Sequence, residues 1–138
     1  MIDPSPKALR RRAFELQASA SREATIDADA SALLLFYAAE CGLKASYMMS
    51  KQLVSTNDQR GGAQSARSFV HDLVRLINAL NIPRAAISAP PTRIVRRTTT
   101  SISVDMLHQA WRYGEKVDDT QAICAWLTSI LKWCKSNL

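Results

Sequence analysis

Residues 31–51 read SALLLFYAAECGLKASYMMSK, the longest apolar-periodic run in the chain. Ala32, Leu35, Phe36, Ala39, Leu43 and Tyr47, with the small Ser46, recur at steps of three and four and so share one face of a helix. Leu34, Tyr37, Ala38, Cys41, Ala45 and Met48 fill the flank. A helix apolar over so much of its circumference has to be covered on several sides, which makes it the central member of a bundle. Glu40, Lys44 and Ser46 make the run too polar for a membrane span. Glu40 stands one turn before Lys44, the favourable order for an ion pair. That pair is either exposed and weak or buried among the apolar neighbours, where it would fix helix register more than add stability.

At 138 residues with 47% hydrophobic content, the chain has enough length for one domain (1–138) around one core. The net charge is +6, from 18 Lys and Arg against 12 Asp and Glu. This basic balance suggests either an anionic partner or simple solubility. Cys41, Cys124 and Cys134 are an odd number, and they read as small core residues in a reducing compartment. The opening MIDPSPKALRRR has no apolar stretch of signal length, and no segment reaches membrane-spanning length, so the cytoplasm is the expected location.

Ser5 and Pro6 suit the cap and first position of a helix over residues 7–21, with Arg10, Arg11 and Arg12 on its basic side. Asp27 or Asp29 caps the central helix, which is expected to run to about residue 52. Gly61-Gly62 breaks the chain. A third helix is expected from about Ser65 to Leu80, striped by Phe69, Leu73, Leu76, Ile77 and Leu80, with Asn81 as its C-terminal cap and Pro83 beyond. Residues 85–103 hold Pro90-Pro91 and a run of β-branched residues, and favour irregular structure or a short strand pair. A fourth helix begins at Ser103 or Asp105 and is interrupted by Gly114. A fifth begins at Asp118, Asp119 or Thr120 and carries Ile123, Trp126, Leu127, Ile130 and Cys134. The expected fold is therefore all-α: a single four- to five-helix bundle with a long irregular connection before the last two helices.

No glycine-rich phosphate loop and no metal-binding spacing of Cys and His occurs in the sequence. Arg93, Arg96 and Arg97 form a basic cluster on the irregular connection, where arginines can contact phosphate. His71 and His108 fall on different expected helices. Trp111, Trp126 and Trp133 either complete the core or serve an interface.

Residues 36–45, FYAAECGLKA, resemble the signature of the HEPN (higher eukaryotes and prokaryotes nucleotide-binding) family. Val70-His71-Asp72-Leu73 is similar to that family's His-Asp-Leu segment, and Trp111-Arg112-Tyr113 to its Arg-Tyr before the last helix. The resemblance implies an all-α bundle, often dimeric. It also implies a place in a toxin–antitoxin or antiviral defence assembly, with a homodimer or an operon-encoded protein as partner. Many members are metal-independent ribonucleases that use an Arg, then four to six intervening residues, then a His. Here Arg112 is followed by Tyr-Gly-Glu-Lys-Val, so Val117 stands where that His would be. Arg67 and His71 remain as a variant catalytic pair, on the expectation that both share one face of the third helix. Arg93, Arg96, Arg97, Arg112 and Tyr113 are the candidate nucleic-acid contacts, and Glu40–Lys44 the candidate structural pair. Neither metal nor cofactor is called for. The leading expectation is a non-catalytic, HEPN-like module that binds protein or nucleic acid. A ribonuclease and a small basic RNA- or DNA-binding subunit are the alternatives.

Overall fold

In the computed structural model, which describes residues 2–137, the 31–51 run lies in α2, Ala28–Ser50. Asp27 caps it by accepting from the Ala30 amide at 3.0 Å. Three more helices lie where the periodicity puts them. α1 spans Pro6–Glu23, capped by Ser5, whose hydroxyl accepts from the Ala8 amide. α4 spans Leu107–Arg112, preceded by a 3-10 turn at Val104–Met106, and α5 spans Thr120–Asn137. With the short α3, Leu73–Ala79, these are the five α-helices among the described residues. The fold is all-α, and α2 packs against each of the other four helices.

Phe36, Ala39, Leu43 and Met48 of α2 are fully buried. They meet Leu73 and Leu76 of α3, Leu107 of α4, and Ile123, Leu127 and Ile130 of α5 in one apolar cluster. Ala13 and Leu16 of α1 join Ala38 and Leu131 in a smaller one. Gly42 sets how closely α5 can approach: a Cβ there would sit 3.0 Å from the Cys134 sulfur. Trp111 and Trp126 are buried and Trp133 half-buried, so the tryptophans serve the core. Val117 is buried as well and bridges to Val95.

The third helix differs from expectation. Instead of running from Ser65 to Leu80, the segment makes a 3-10 turn at Ala66–Phe69, then breaks at Val70, and resumes as α3. Val70 has φ 53° and ψ −114°, a conformation that β-branched residues avoid. Asp72 then restarts the helix by accepting from the Arg75 amide at 3.1 Å. An Asp in a capping position, read earlier as part of a family motif, was the overlooked stop-and-start signal. Arg67 and His71 therefore do not share a helix face. As expected, Asn81 takes positive φ, 55°, just beyond the helix.

The irregular connection contains β1, Ile94–Val95, paired antiparallel with β2, Thr100–Ser101. Side chains pin this region to the helices: the Trp126 indole donates to the Ser88 carbonyl at 2.9 Å. No described helix is long and apolar enough to cross a membrane.

Candidate functional site

Tyr37, Glu40 and Lys44 stand at positions i, i+3 and i+7 of α2 and share one face. The Lys44 amine lies 2.7 Å from a Glu40 carboxylate oxygen, and the two side chains are 14% and 9% exposed. The pair is thus buried, and it has company. His71, in the turn before α3, places Nδ1 at 3.1 and 3.2 Å from the two Glu40 oxygens. A carboxylate only accepts, so His71 Nδ1 carries the hydrogen and donates it. With that hydrogen on Nδ1, Nε2 of an uncharged ring would be an acceptor.

Two residues of α4 close the group. His108 and Arg112 are one turn apart, and the His108 ring centroid lies 4.0 Å from that of His71. His108 also stacks on Phe36 at 5.6 Å, and Tyr37 lies 6.4 Å from His71 and 6.2 Å from His108. Arg112 donates to the Tyr37 hydroxyl. His108 is only 3% exposed, and its Nδ1 makes no hydrogen bond. Burial lowers its pKa below the usual histidine value, and the charges of His71 and Arg112 push the same way, against the weaker pull of Glu40 and the Asp105 carbonyl. His108 is the neutral, buried member of the group. His71 has a side chain 36% exposed and is the one imidazole that reaches solvent.

Beside this cluster lies a cleft of about 450 Å³. Arg12 of α1, Tyr37, Glu40, Cys41 and Lys44 of α2, and Arg67 of the 3-10 turn line it. Arg67 donates to the Ile2 carbonyl at 2.7 Å, which ties the segment ahead of α1 to the cleft wall. Cys41 offers no nucleophile: burial, with Glu40 alongside, pushes its thiol up to about 11. Cys134 is likewise pushed up to about 11 by burial. Among the described residues no group of three or more His, Cys, Asp or Glu is placed to hold a metal ion.

The basic loop is arranged differently. The Arg93 guanidinium donates to the carbonyls of Ile102 and Pro91 at 2.9 and 2.7 Å. Arg96 pairs with Asp118 at 2.8 Å and Arg97 with Glu115 at 2.6 Å. The loop's positive charge is thus largely matched by the segment that leads into α5. Arg112 instead stands on the Glu40–His71–His108 group, with Tyr113 exposed beside it.

Of the residues marked out in the sequence, then, Glu40, Lys44, His71 and Arg112 converge. Arg67 faces the adjoining cleft, and the three loop arginines lie outside the group. Sequence reasoning passed over Tyr37 and His108. Spacing held the signal for both: Tyr37 precedes Glu40 by three residues, and His108 precedes Arg112 by four. No protein-family model, curated protein or solved structure matches the chain.

Proposed function

We propose that this chain is a HEPN-like helical module that binds a single-stranded nucleic acid on the face formed by Tyr37, His71, Arg112 and Tyr113, without cleaving it. One observation carries the reading. The three segments that resemble the HEPN signature lie far apart in sequence, yet they meet side chain to side chain. Glu40 of the first accepts from His71 of the second, and Tyr37 of the first accepts from Arg112 of the third. An exposed guanidinium flanked by two tyrosines is suited to a phosphate with a base stacked next to it. Binding of a labelled single-stranded RNA, followed by anisotropy, should weaken steeply as salt rises. It should also weaken about tenfold in Arg112→Ala, the loss of one charge-assisted contact. RNA that stays unbound at low salt, or binds Arg112→Ala equally well, removes the proposal.

The Glu40–His71 hydrogen bond favours a second reading, a metal-independent ribonuclease. A carboxylate that orients an imidazole leaves Nε2 ready to take a proton from a 2′-hydroxyl. Against it, cleavage also needs an acid on the leaving oxygen, and the second imidazole, His108, is buried. The family's usual histidine position is the buried Val117. RNA cleaved in the presence of a chelator, with activity lost in His71→Ala, would establish this reading in place of the first. Work within a toxin–antitoxin or defence assembly, as a homodimer or with an operon-encoded partner, rests on the resemblance alone. Co-purification with a neighbouring gene product tests it, and a lone monomer counts against it.

A further inference from the structure

We infer that the cleft between α1, α2 and the 66–69 turn is a binding site for a phosphomonoester with an apolar or aromatic body. Cations from three separate elements line it, Arg12, Lys44 and Arg67, and they face one lining carboxylate, Glu40. Glu40 is already held by Lys44 and His71. Asp3 lies near the rim, where the Thr56 hydroxyl and the Asn57 amide hold its carboxylate at 2.5 and 2.8 Å; it keeps its charge and is drawn to Arg67, yet the three cations still outnumber the two carboxylates. The excess of positive charge suits a dianion.

Donor capacity points the same way. The Lys44 ammonium has three hydrogens and spends one on Glu40. The Arg67 guanidinium is held in the cleft wall by its bond to the Ile2 carbonyl. Arg12 meets Glu15 only at 3.6 Å, with both side chains more than half exposed, a contact worth little. Three donors on three sides match the three terminal oxygens of a phosphate better than the two of a carboxylate. Apart from Cys41 and Thr56, the rest of the wall is Pro4, Leu9, Leu16 and the Tyr37 ring, which offer little to a bare ion but much to an apolar body. The volume, about 450 Å³, accommodates a group of aryl size.

The site shares Tyr37 with the proposed nucleic-acid face, but His71, Arg112 and Tyr113 do not line it, so the two proposals separate. The experiment is an amide NMR titration of the full chain with phenyl phosphate, and with inorganic phosphate in parallel. Phenyl phosphate should give saturable shifts at Tyr37, Cys41, Thr56 and Arg67, and should bind more tightly than inorganic phosphate. Affinity should fall about tenfold in Arg67→Ala and about threefold or more in Arg12→Ala. It should be unchanged in Arg97→Ala, whose side chain lies outside the cleft. Arg12→Ala removes a mostly exposed side chain, so its result stands even if Arg67→Ala loosens the neighbouring segment. No saturable shift at about 10 mM ligand would overturn the site. So would shifts that map elsewhere, or equal affinity in Arg12→Ala and Arg67→Ala. Equal affinity for inorganic phosphate would overturn the apolar subsite. Phenyl phosphate that binds while RNA does not would leave this site standing and remove the nucleic-acid reading.

Discussion

The α1–α2–α5 layer and the segment between residues 51 and 106 are built on different physics. In the first, long helices bury continuous apolar stripes, and Phe36, Leu43, Leu127 and Ile130 have no exposed surface at all. In the second, two 3-10 turns, a seven-residue helix, a ribbon of two two-residue strands and a third 3-10 turn follow one another. There, much of the order comes from single polar pins: Tyr47 to the Gln64 carbonyl, Trp126 to Ser88, Arg93 to Pro91 and Ile102. Burial over an area is non-directional and cooperative. A pin is directional and fails locally. The candidate site lies on the seam between the two. Its carboxylate stands on the rigid layer, and its exposed histidine on the pinned segment.

That contrast can be broken most forcefully from the rigid side. Phe36→Ala should cost about 3–5 kcal/mol and lower the urea midpoint of the whole molecule as one transition. A transition that split in two would show that the layers unfold separately. On the pinned side, Trp126→Phe should cost about 1–2 kcal/mol. Its larger effect should appear as faster proteolytic cutting between residues 80 and 103, and unchanged cutting would deny the pin its role.

Gly42→Ala tests how tightly the rigid layer is packed. Alanine gains up to about 1 kcal/mol of helix propensity, but its Cβ meets the Cys134 sulfur at 3.0 Å. Overpacking costs about 1–3 kcal/mol, so a net loss near 1 kcal/mol is expected by chemical denaturation. The double variant with Cys134→Ala should be more stable than additivity allows, and strict additivity would mean that the contact does not limit packing. Val70→Gly, in the pinned segment, should stabilise by about 1 kcal/mol or less. It removes strain at φ 53° and gives back part of the gain as unfolded-chain entropy. A loss of stability would show that the Val70 side chain contributes more than its backbone costs.

The smallest effect concerns pH. His108 is held below its usual value of 6.5, so the unfolded chain binds a proton that the folded chain refuses. Its contribution is present above pH 6.5 and is lost as the pH falls toward its folded value. Melting temperature should drop on that descent, and His108→Leu should flatten that part of the profile. An identical slope in the variant would assign the acid sensitivity to other groups.

The same contrast governs what could be read from the sequence. Stripes of the length of α2 and α5 announce themselves, because every third or fourth residue repeats the message. The break at Val70 is marked only by the capping Asp72 that follows it, because a valine at positive φ leaves no trace of its own. Phe69, Leu73 and Leu76 keep helical spacing across it. Glu40 and Lys44 could be paired from spacing within one helix. Their link to His71 could not, since it depends on where the turn before α3 sets down. The three loop arginines were conspicuous as a run, yet Glu115 and Asp118, which engage two of them, sit about twenty residues downstream.

The short strap ahead of α1 has a consequence for the order of assembly. Asp3 and Pro4 receive the Asn57 and Thr56 amides across more than fifty residues of intervening chain. Such a clasp can fasten only after the α1–α2 hairpin has formed and the loop behind it has folded back. It is therefore among the last parts to seat and among the first to come undone. The amide protons of Thr56 and Asn57 are the natural clock for that event, and their exchange with deuterium times the opening of the neighbouring cleft.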